Sequence, residues 1–360
     1  MKILLAGGGS GGPVSPVLAV AMEIKNQHPK VQFLFVGTRK GPERTMVEQA
    51  GIKFKTVPAA RWRRFLSVKN LFAPFIFVGG LSKAYSIINK FKPDVFFSAG
   101  GFVAVPLAWV CYLKKIPIYI HQQDAAIGLA NKLIAPLASE ITTAFEQTAK
   151  EFHSGSGLFN KNWHPAIWVG NPVRPDLFDS KVDAKKHFNL HDELPILLIL
   201  GGATGAAQIN NLIEAILPDL VTAHQIIHQT GSGKNRIKFK HQNYHPYELI
   251  PFEPYAAILK AAHLVIARAG LSTIAELSAL SKVAIIIPMP QTHQEENAKI
   301  LMDAHAAVVL NAKEAIPANL KQILNSLKFN AKRGEAMGSN ISHLIPKDAS
   351  KRIAAIITKQ

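Results

Sequence analysis

Three glycine-bearing turns carry the chemistry that can be read from this chain. The first is Gly7-Gly8-Gly9-Ser10-Gly11-Gly12, which follows the apolar run Lys2–Ala6 and precedes a helical pattern. It holds a G-x-G-x-x-G spacing at Gly7, Gly9 and Gly12. Glycines there let a ligand approach the backbone at a helix N-terminus, where free N–H groups and the dipole favour anions. A nicotinamide site would also want an acid at the tip of the second strand. The chain there reads Val36-Gly37-Thr38-Arg39-Lys40, with no acid, and a plain tight turn would not need so many glycines. The second turn, Gly201 to Ala206, adds the hydroxyl of Thr204. The third runs from Arg268 through Ala269 and Gly270 to Glu276. Gly270 leaves room for a ligand on the helix start. Glu276, within the first two turns, can accept two hydrogen bonds from a pair of sugar hydroxyls, or can simply satisfy the helix dipole. His293 and Gln294 stand after a further strand and offer polar contacts or a solvated helix start.

Short apolar runs must position these turns. Lys2–Ala6, Val31–Val36, Val95–Phe97 and Pro117–Ile120 read as buried strands, and Val17–Gln27 and Leu81–Lys90 as helices between them. The rhythm restarts at Ile196–Leu200 and continues through Ile226–Thr230, Leu264–Ala267 and Ala284–Pro288. Such alternation predicts an α/β fold with parallel sheets covered on both faces. The expected domains are residues 1–168 and 169–344, joined near Gly170–Pro175, with a C-terminal helix within 345–360 packing back on the first domain. Two Rossmann-like domains would face a central cleft, with ligands beyond the carboxyl ends of the strands.

Composition narrows the class. The 360 residues hold 41 Lys+Arg against 24 Asp+Glu, a net charge of +17, and 48% hydrophobic residues. That content supports a core and excludes wholesale disorder. A single cysteine, Cys111, excludes a disulfide scaffold and any cysteine-clustered metal site. No signal peptide and no uninterrupted apolar span are expected. The positive excess points to an anionic partner. No RNA-recognition aromatic motif or zinc-finger spacing occurs, so nucleic acid is not the expected partner. Arg61-Trp62-Arg63-Arg64-Phe65 through Phe77 mixes bulky apolar and basic residues, the composition of a segment lying in an anionic membrane interface; a core helix with snorkelling ends is the alternative.

Taken together, GGGSGGPVSPVLAVA, SAGGFVAVP, HQQDAAIGLANK, VGNPVRPDLF, LGGATGAAQINN, HQTGSG, ARAGLSTIAEL and PMPQTHQEENA resemble the MurG family in content and order, over residues 1 to about 300. The resemblance implies a two-domain GT-B glycosyltransferase that needs no cofactor. Its reaction would be inverting transfer from UDP-N-acetylglucosamine to lipid I, giving lipid II at the cytoplasmic face of the cell membrane. It implies donor contacts at Arg174, Thr204, Arg268, Gly270, Glu276, His293 and Gln294. It also implies an acceptor and phosphate set of Gly9, Ser10, Gly11, Gly12 and Asn131. No D-x-D occurs, which fits a leaving diphosphate neutralised by Arg and helix N-termini, with no metal site expected.

The chain departs from the family pattern on the acceptor side. Pro13 stands where the family has His after the last glycine, Phe102 replaces a Tyr, and His121-Gln122-Gln123-Asp124 replaces His-Glu-Gln-Asn. His121 and Asp124 are therefore the candidate general bases; a buried strand-end histidine and a helix N-cap are the competing readings. A GT-B transferase with another lipid or polyprenyl acceptor, a UDP-sugar epimerase and a non-catalytic binder remain as alternatives.

Overall fold

The computed structural model describes residues 1–8, 12–39, 41, 43–59, 73–153, 165–202 and 205–359. It divides into two compact units, Met1–Arg174 with Asp348–Gln360, and Pro175–Lys347. The division falls at Arg174/Pro175 rather than at 168/169. Each unit is a Rossmann-like α/β layer structure.

Unit 1 carries seven parallel strands: β1 (Lys2–Ala6), β2 (Gln32–Gly37), β3 (Lys53–Thr56), β4 (Val95–Ser98), β5 (Ile118–Gln122), β6 (Glu140–Thr143) and β7 (Ala166–Trp168). Their spatial order is β3-β2-β1-β4-β5-β6-β7. β1 is buried almost end to end, because it lies central and is covered on both faces. Its side chains alternate accordingly. Ile3 and Leu5 join Phe35 and Phe97 under helix Val14–Gln27 and helix Ala349–Thr358. Leu4 and Ala6 join Leu34 and Phe96 under helices Ala73–Phe91 and Ala104–Leu113.

The C-terminal helix thus completes one face of unit 1. Ile353 and Ile357 are buried there, and the Ser350 hydroxyl donates 2.9 Å to the Val173 carbonyl. Residues 61–72 of the aromatic and basic segment lie outside the described residues; its remainder opens helix Ala73–Phe91.

Unit 2 carries β8 (Ile196–Leu200), β9 (Gln225–Gln229), β10 (Tyr244–Tyr247), β11 (Leu264–Ala267), β12 (Ala284–Ile286) and β13 (Val308–Val309), in the order β10-β9-β8-β11-β12-β13. Every pairing is parallel. In both units the chain winds outward from the first strand in one direction, then returns to wind in the other. The crevices left by that reversal lie beyond β1 and β4 in unit 1, and beyond β8 and β11 in unit 2.

Helix Ala349–Thr358 yields a direct test of the core. Ile353→Ala should destabilise the protein by about 2–5 kcal/mol, the range for deleting a buried Ile side chain. Urea unfolding measures it, and an unchanged midpoint would show that this helix does not seal unit 1.

Candidate functional site

In unit 1 the crevice is shaped by backbone approach. Gly101, at φ +90°, turns the chain after β4, and a Cβ on it would lie 2.9 Å from the Gly8 carbonyl oxygen and 3.2 Å from the Gly8 nitrogen. Only glycine allows the two loops to meet this closely. The Ser98 hydroxyl holds the same junction, donating to the Ala6 carbonyl at 2.9 Å while accepting from the Gly100 amide at 3.1 Å. Pro13 opens helix Val14–Gln27 from φ −67°, without a side-chain cap. Gly12 is exposed beside it. Gly9, Ser10 and Gly11 lie outside the described residues.

β5 supplies the next loop. The Gln122 amide donates to the carbonyls of Asp124 and Ala126 at 2.8 and 2.9 Å, and its oxygen accepts from Asn131 Nδ2 at 2.7 Å. Gln123 Nε2 donates to Ala99 O at 3.1 Å, tying this loop to the one after β4. Asp124 is thereby held by its backbone, with a half-buried side chain. Asn131 is buried on helix Leu129–Ile134 rather than on a loop. It also donates to the His121 carbonyl at 3.2 Å. Its Oδ1 has no hydrogen-bond partner among the described residues and lies nearest the missing side chain of Gly100, 3.4 Å from where a Cβ would stand.

His121 must be reassigned. It is fully buried, with Nδ1 3.0 Å from Thr142 Oγ1 and Nε2 3.2 Å from Asn171 Oδ1. Burial pushes its pKa down to about 4, against a smaller upward pull from the Asn171 bond. Both nitrogens are engaged within the protein, so the ring is not available to take a proton from a substrate. It joins β5 to β6 and to the Gly170–Arg174 stretch. Arg174 itself is half-buried at the end of unit 1.

In unit 2, Gly205 at φ +70° passes so close to the Thr230 carbonyl that any side chain would overlap it. Thr204 lies outside the described residues. Gly270 caps helix Leu271–Ala279 in extended conformation, and the space where its Cβ would stand is open. This turn is braced from below. Arg268 Nη1 donates to Gln208 Oε1 at 3.0 Å and to the carbonyls of Ile287 and Pro288 at 3.1 and 3.0 Å. Asn297, fully buried, donates to the Ala269 carbonyl at 3.1 Å. Arg268 is thus a strut between the ends of β11 and β12 and the helix after β8, with that nitrogen already spent on protein acceptors.

Glu276 is half-buried and accepts from the Tyr255 hydroxyl at 2.5 Å. Burial, and then the Glu276 charge, hold Tyr255 well above the usual phenol range, which keeps it a donor. Gln294 Oε1 accepts from the Met289 amide at 3.0 Å, and His293 is exposed at the start of helix Gln294–Asp303. The sequence pattern does not show Tyr255 as a site residue, since it reaches Glu276 from a helix outside the glycine motifs, whereas Asn297 lies within PMPQTHQEENA.

Residues 3–143 match the glycosyltransferase family 28 N-terminal domain, and residues 196–353 match the C-terminal domain of the same family. A Listeria welshimeri protein named UDP-N-acetylglucosamine--N-acetylmuramyl-(pentapeptide) pyrophosphoryl-undecaprenol N-acetylglucosamine transferase is 32% identical, over 99% of each chain. A Thermoanaerobacter protein of the same name is 33% identical, also over 99% of each. Among solved structures, Acinetobacter baumannii MurG superposes with a TM-score of 0.73 at 23% identity, over 100% of this chain and 99% of that one. UDP-GlcNAc 2-epimerase from Neisseria meningitidis, bound to UDP-GlcNAc, superposes with a TM-score of 0.72 at 16% identity, over 100% of both chains. The epimerase shares the fold.

The reassignment of His121 predicts a pH dependence. A histidine held near pKa 4 in the folded chain and near 6.5 in the unfolded chain is protonated first by unfolding. Its stabilising contribution is therefore complete above about pH 6.5 and is lost as pH falls towards 4, at up to about 1.4 kcal/mol per pH unit. His121→Gln should flatten the fall in stability between pH 7 and 5, measured by urea midpoints. An equal fall in both proteins, or a His121 ring that titrates near 6.5 by NMR, would contradict this placement.

Proposed function

The chain belongs to the MurG family, within glycosyltransferase family 28, and we propose that its two units divide the reaction between nucleotide sugar and lipid-linked acceptor. It is a UDP-N-acetylglucosamine-dependent transferase of peptidoglycan synthesis, adding N-acetylglucosamine to lipid I to give lipid II. In the proposed division UDP-N-acetylglucosamine lies on unit 2 and lipid I on unit 1.

The observation that carries this division is the turn at the β11 end. An open Gly270 starts a helix whose dipole suits a diphosphate, and Glu276 stands two turns in, held by Tyr255. The carboxylate takes the ribose hydroxyls, while the amides at the helix start face the diphosphate. Arg268 fixes the turn and adds positive charge behind it. Gln294 and His293 meet the donor sugar. The acceptor hydroxyl attacks the anomeric carbon from the face opposite UDP, its proton passes to a base, and UDP departs. With Pro13 unable to accept a proton and His121 enclosed, the proposed base is Asp124, whose backbone Gln122 holds at the crevice.

The acceptor's lipid places unit 1 at a membrane, and the surface of that unit suits one. Helices Ala73–Phe91 and Ala104–Leu113 pack side by side and expose Val78, Tyr85, Trp109, Tyr112 and Leu113, the last 77% exposed. Lys114 Nζ sits 4.6 Å over the Tyr85 ring, with Lys83 and Lys115 exposed nearby in sequence. Amphipathic aromatics with lysines suit an anionic headgroup layer, each lysine contributing about 1 kcal/mol. No described helix is long and apolar enough to cross a membrane. Peripheral attachment at the cytoplasmic face follows from this reading.

Radiolabelled UDP-N-acetylglucosamine with lipid I should give a labelled lipid. Asp124→Asn should lower turnover at saturating substrates by at least about tenfold, within the range for a general base, while UDP affinity stays unchanged. Full turnover in that variant would remove Asp124 from the chemistry, and no labelled lipid from the wild-type enzyme would overturn the acceptor.

The membrane reading has its own check. Replacing Trp109, Tyr112 and Leu113 by Ser should reduce co-sedimentation with anionic vesicles and leave UDP binding intact. Equal vesicle binding would show that this face is not the attachment surface.

A further inference from the structure

The tip of β2 has no acid in sequence, yet the fold puts one there. Glu43, the first residue of helix Glu43–Gln49, folds back and is wholly buried. Its Oε1 accepts from the Thr38 amide at 2.7 Å and from the Thr38 hydroxyl. Its Oε2 is buried with no hydrogen-bond partner among the described residues. Three glycines make the space it fills. A Cβ on Gly8 would lie 2.7 Å from Oε1, one on Gly37 would lie 2.9 Å from Cγ, and one on Gly41 would overlap the carboxylate. Gly8 is therefore wedged between the Glu43 carboxylate and the backbone of Gly101.

A wholly buried carboxylate, with one oxygen unpartnered among the described residues, is an expensive way to fill a core. An apolar side chain of similar volume would cost less if filling were its only role. Buried polar groups in native proteins call for a reason, and this one backs Gly8, where the chain leaves β1 at the switch point. We propose that Glu43 is a positioning residue for lipid I: by tying the β2 tip through Thr38 and bearing on Gly8, it sets where the chain leaving β1 meets the acceptor. This rests on the acceptor lying on unit 1.

The test is steady-state transfer with the full-length enzyme, varying lipid I at saturating donor, alongside UDP titration and thermal midpoints. Glu43→Met keeps the volume but loses both Thr38 bonds. It should raise the lipid I KM by about tenfold, with kcat within about threefold and UDP affinity unchanged. Glu43→Gln keeps an acceptor for Thr38 and should stay near wild type in all three. Gly8→Ala pushes a methyl at Oε1 and should raise the lipid I KM as Glu43→Met does. Adding Glu43→Ala to it should recover part of that loss. If Glu43→Met fails to fold, Gly8→Ala and its double variant decide. Glu43→Met and Gly8→Ala variants that share the wild-type lipid I KM, or are weakened equally towards UDP and lipid I, overturn the inference. A wild-type enzyme inactive on lipid I overturns the acceptor reading and this inference with it. An active one with indifferent variants overturns the inference alone.

Discussion

Gly101 meets Gly8 backbone to backbone, and the crevice of unit 1 is built outward from that contact. Parallel strands separated by a switch point leave their next loops diverging, so a crevice forms by default. What fixes its floor is how closely the loops after β1 and β4 return to one another. The absent side chain of Gly101 and one buried serine hydroxyl set that distance. Gln123 then links the loop after β5 to Ala99, and Gln122 shapes the residues that present Asp124. Each link is a side chain bonded to a backbone group, which holds a loop without occupying the space a substrate needs.

Unit 2 solves the same problem with charge. Its turn after β11 has an open backbone at Gly270, and the braces come from beneath: Arg268 from the strand end and Asn297 from helix Gln294–Asp303. Arg268 Nη1 is shared among two backbone carbonyls and a glutamine, which holds the turn. Its positive charge still lies beside a helix start that favours anions. The Tyr255 bond fixes the orientation of the Glu276 carboxylate, which in the proposed donor site lowers the ordering cost of binding.

Much of this was legible in the chain. β1 and β8 have the bounds their apolar runs predict, because strands buried on both faces carry an unbroken apolar signal. Edge strands were not legible: β3 is Lys-Phe-Lys-Thr and β13 has only two residues, too polar or too short to register. Helix Ala73–Phe91 begins well before the predicted Leu81, since Gly79 and Gly80 interrupt the pattern there. At Gly80, which a Cβ would bring to 2.5 Å from the Pro58 carbonyl, the small residue serves close packing. Among site residues, the glycine turns were visible because their spacing is local. His121 misled because a histidine at a strand end looks the same whether it faces solvent or Thr142 and Asn171. Glu43 and Tyr255 were invisible because a helix, not a motif, delivers each of them.

The central claim is that the nucleotide belongs to the turn at β11 and the acceptor to the loops at β1, β4 and β5. Hydrogen–deuterium exchange of the intact enzyme with saturating UDP tests it most directly. The account predicts protection of the amides in 269–276, with those of 99–103 and 123–128 unchanged. Protection confined to the unit 1 loops, with the Gly270 helix start exchanging as before, would contradict it.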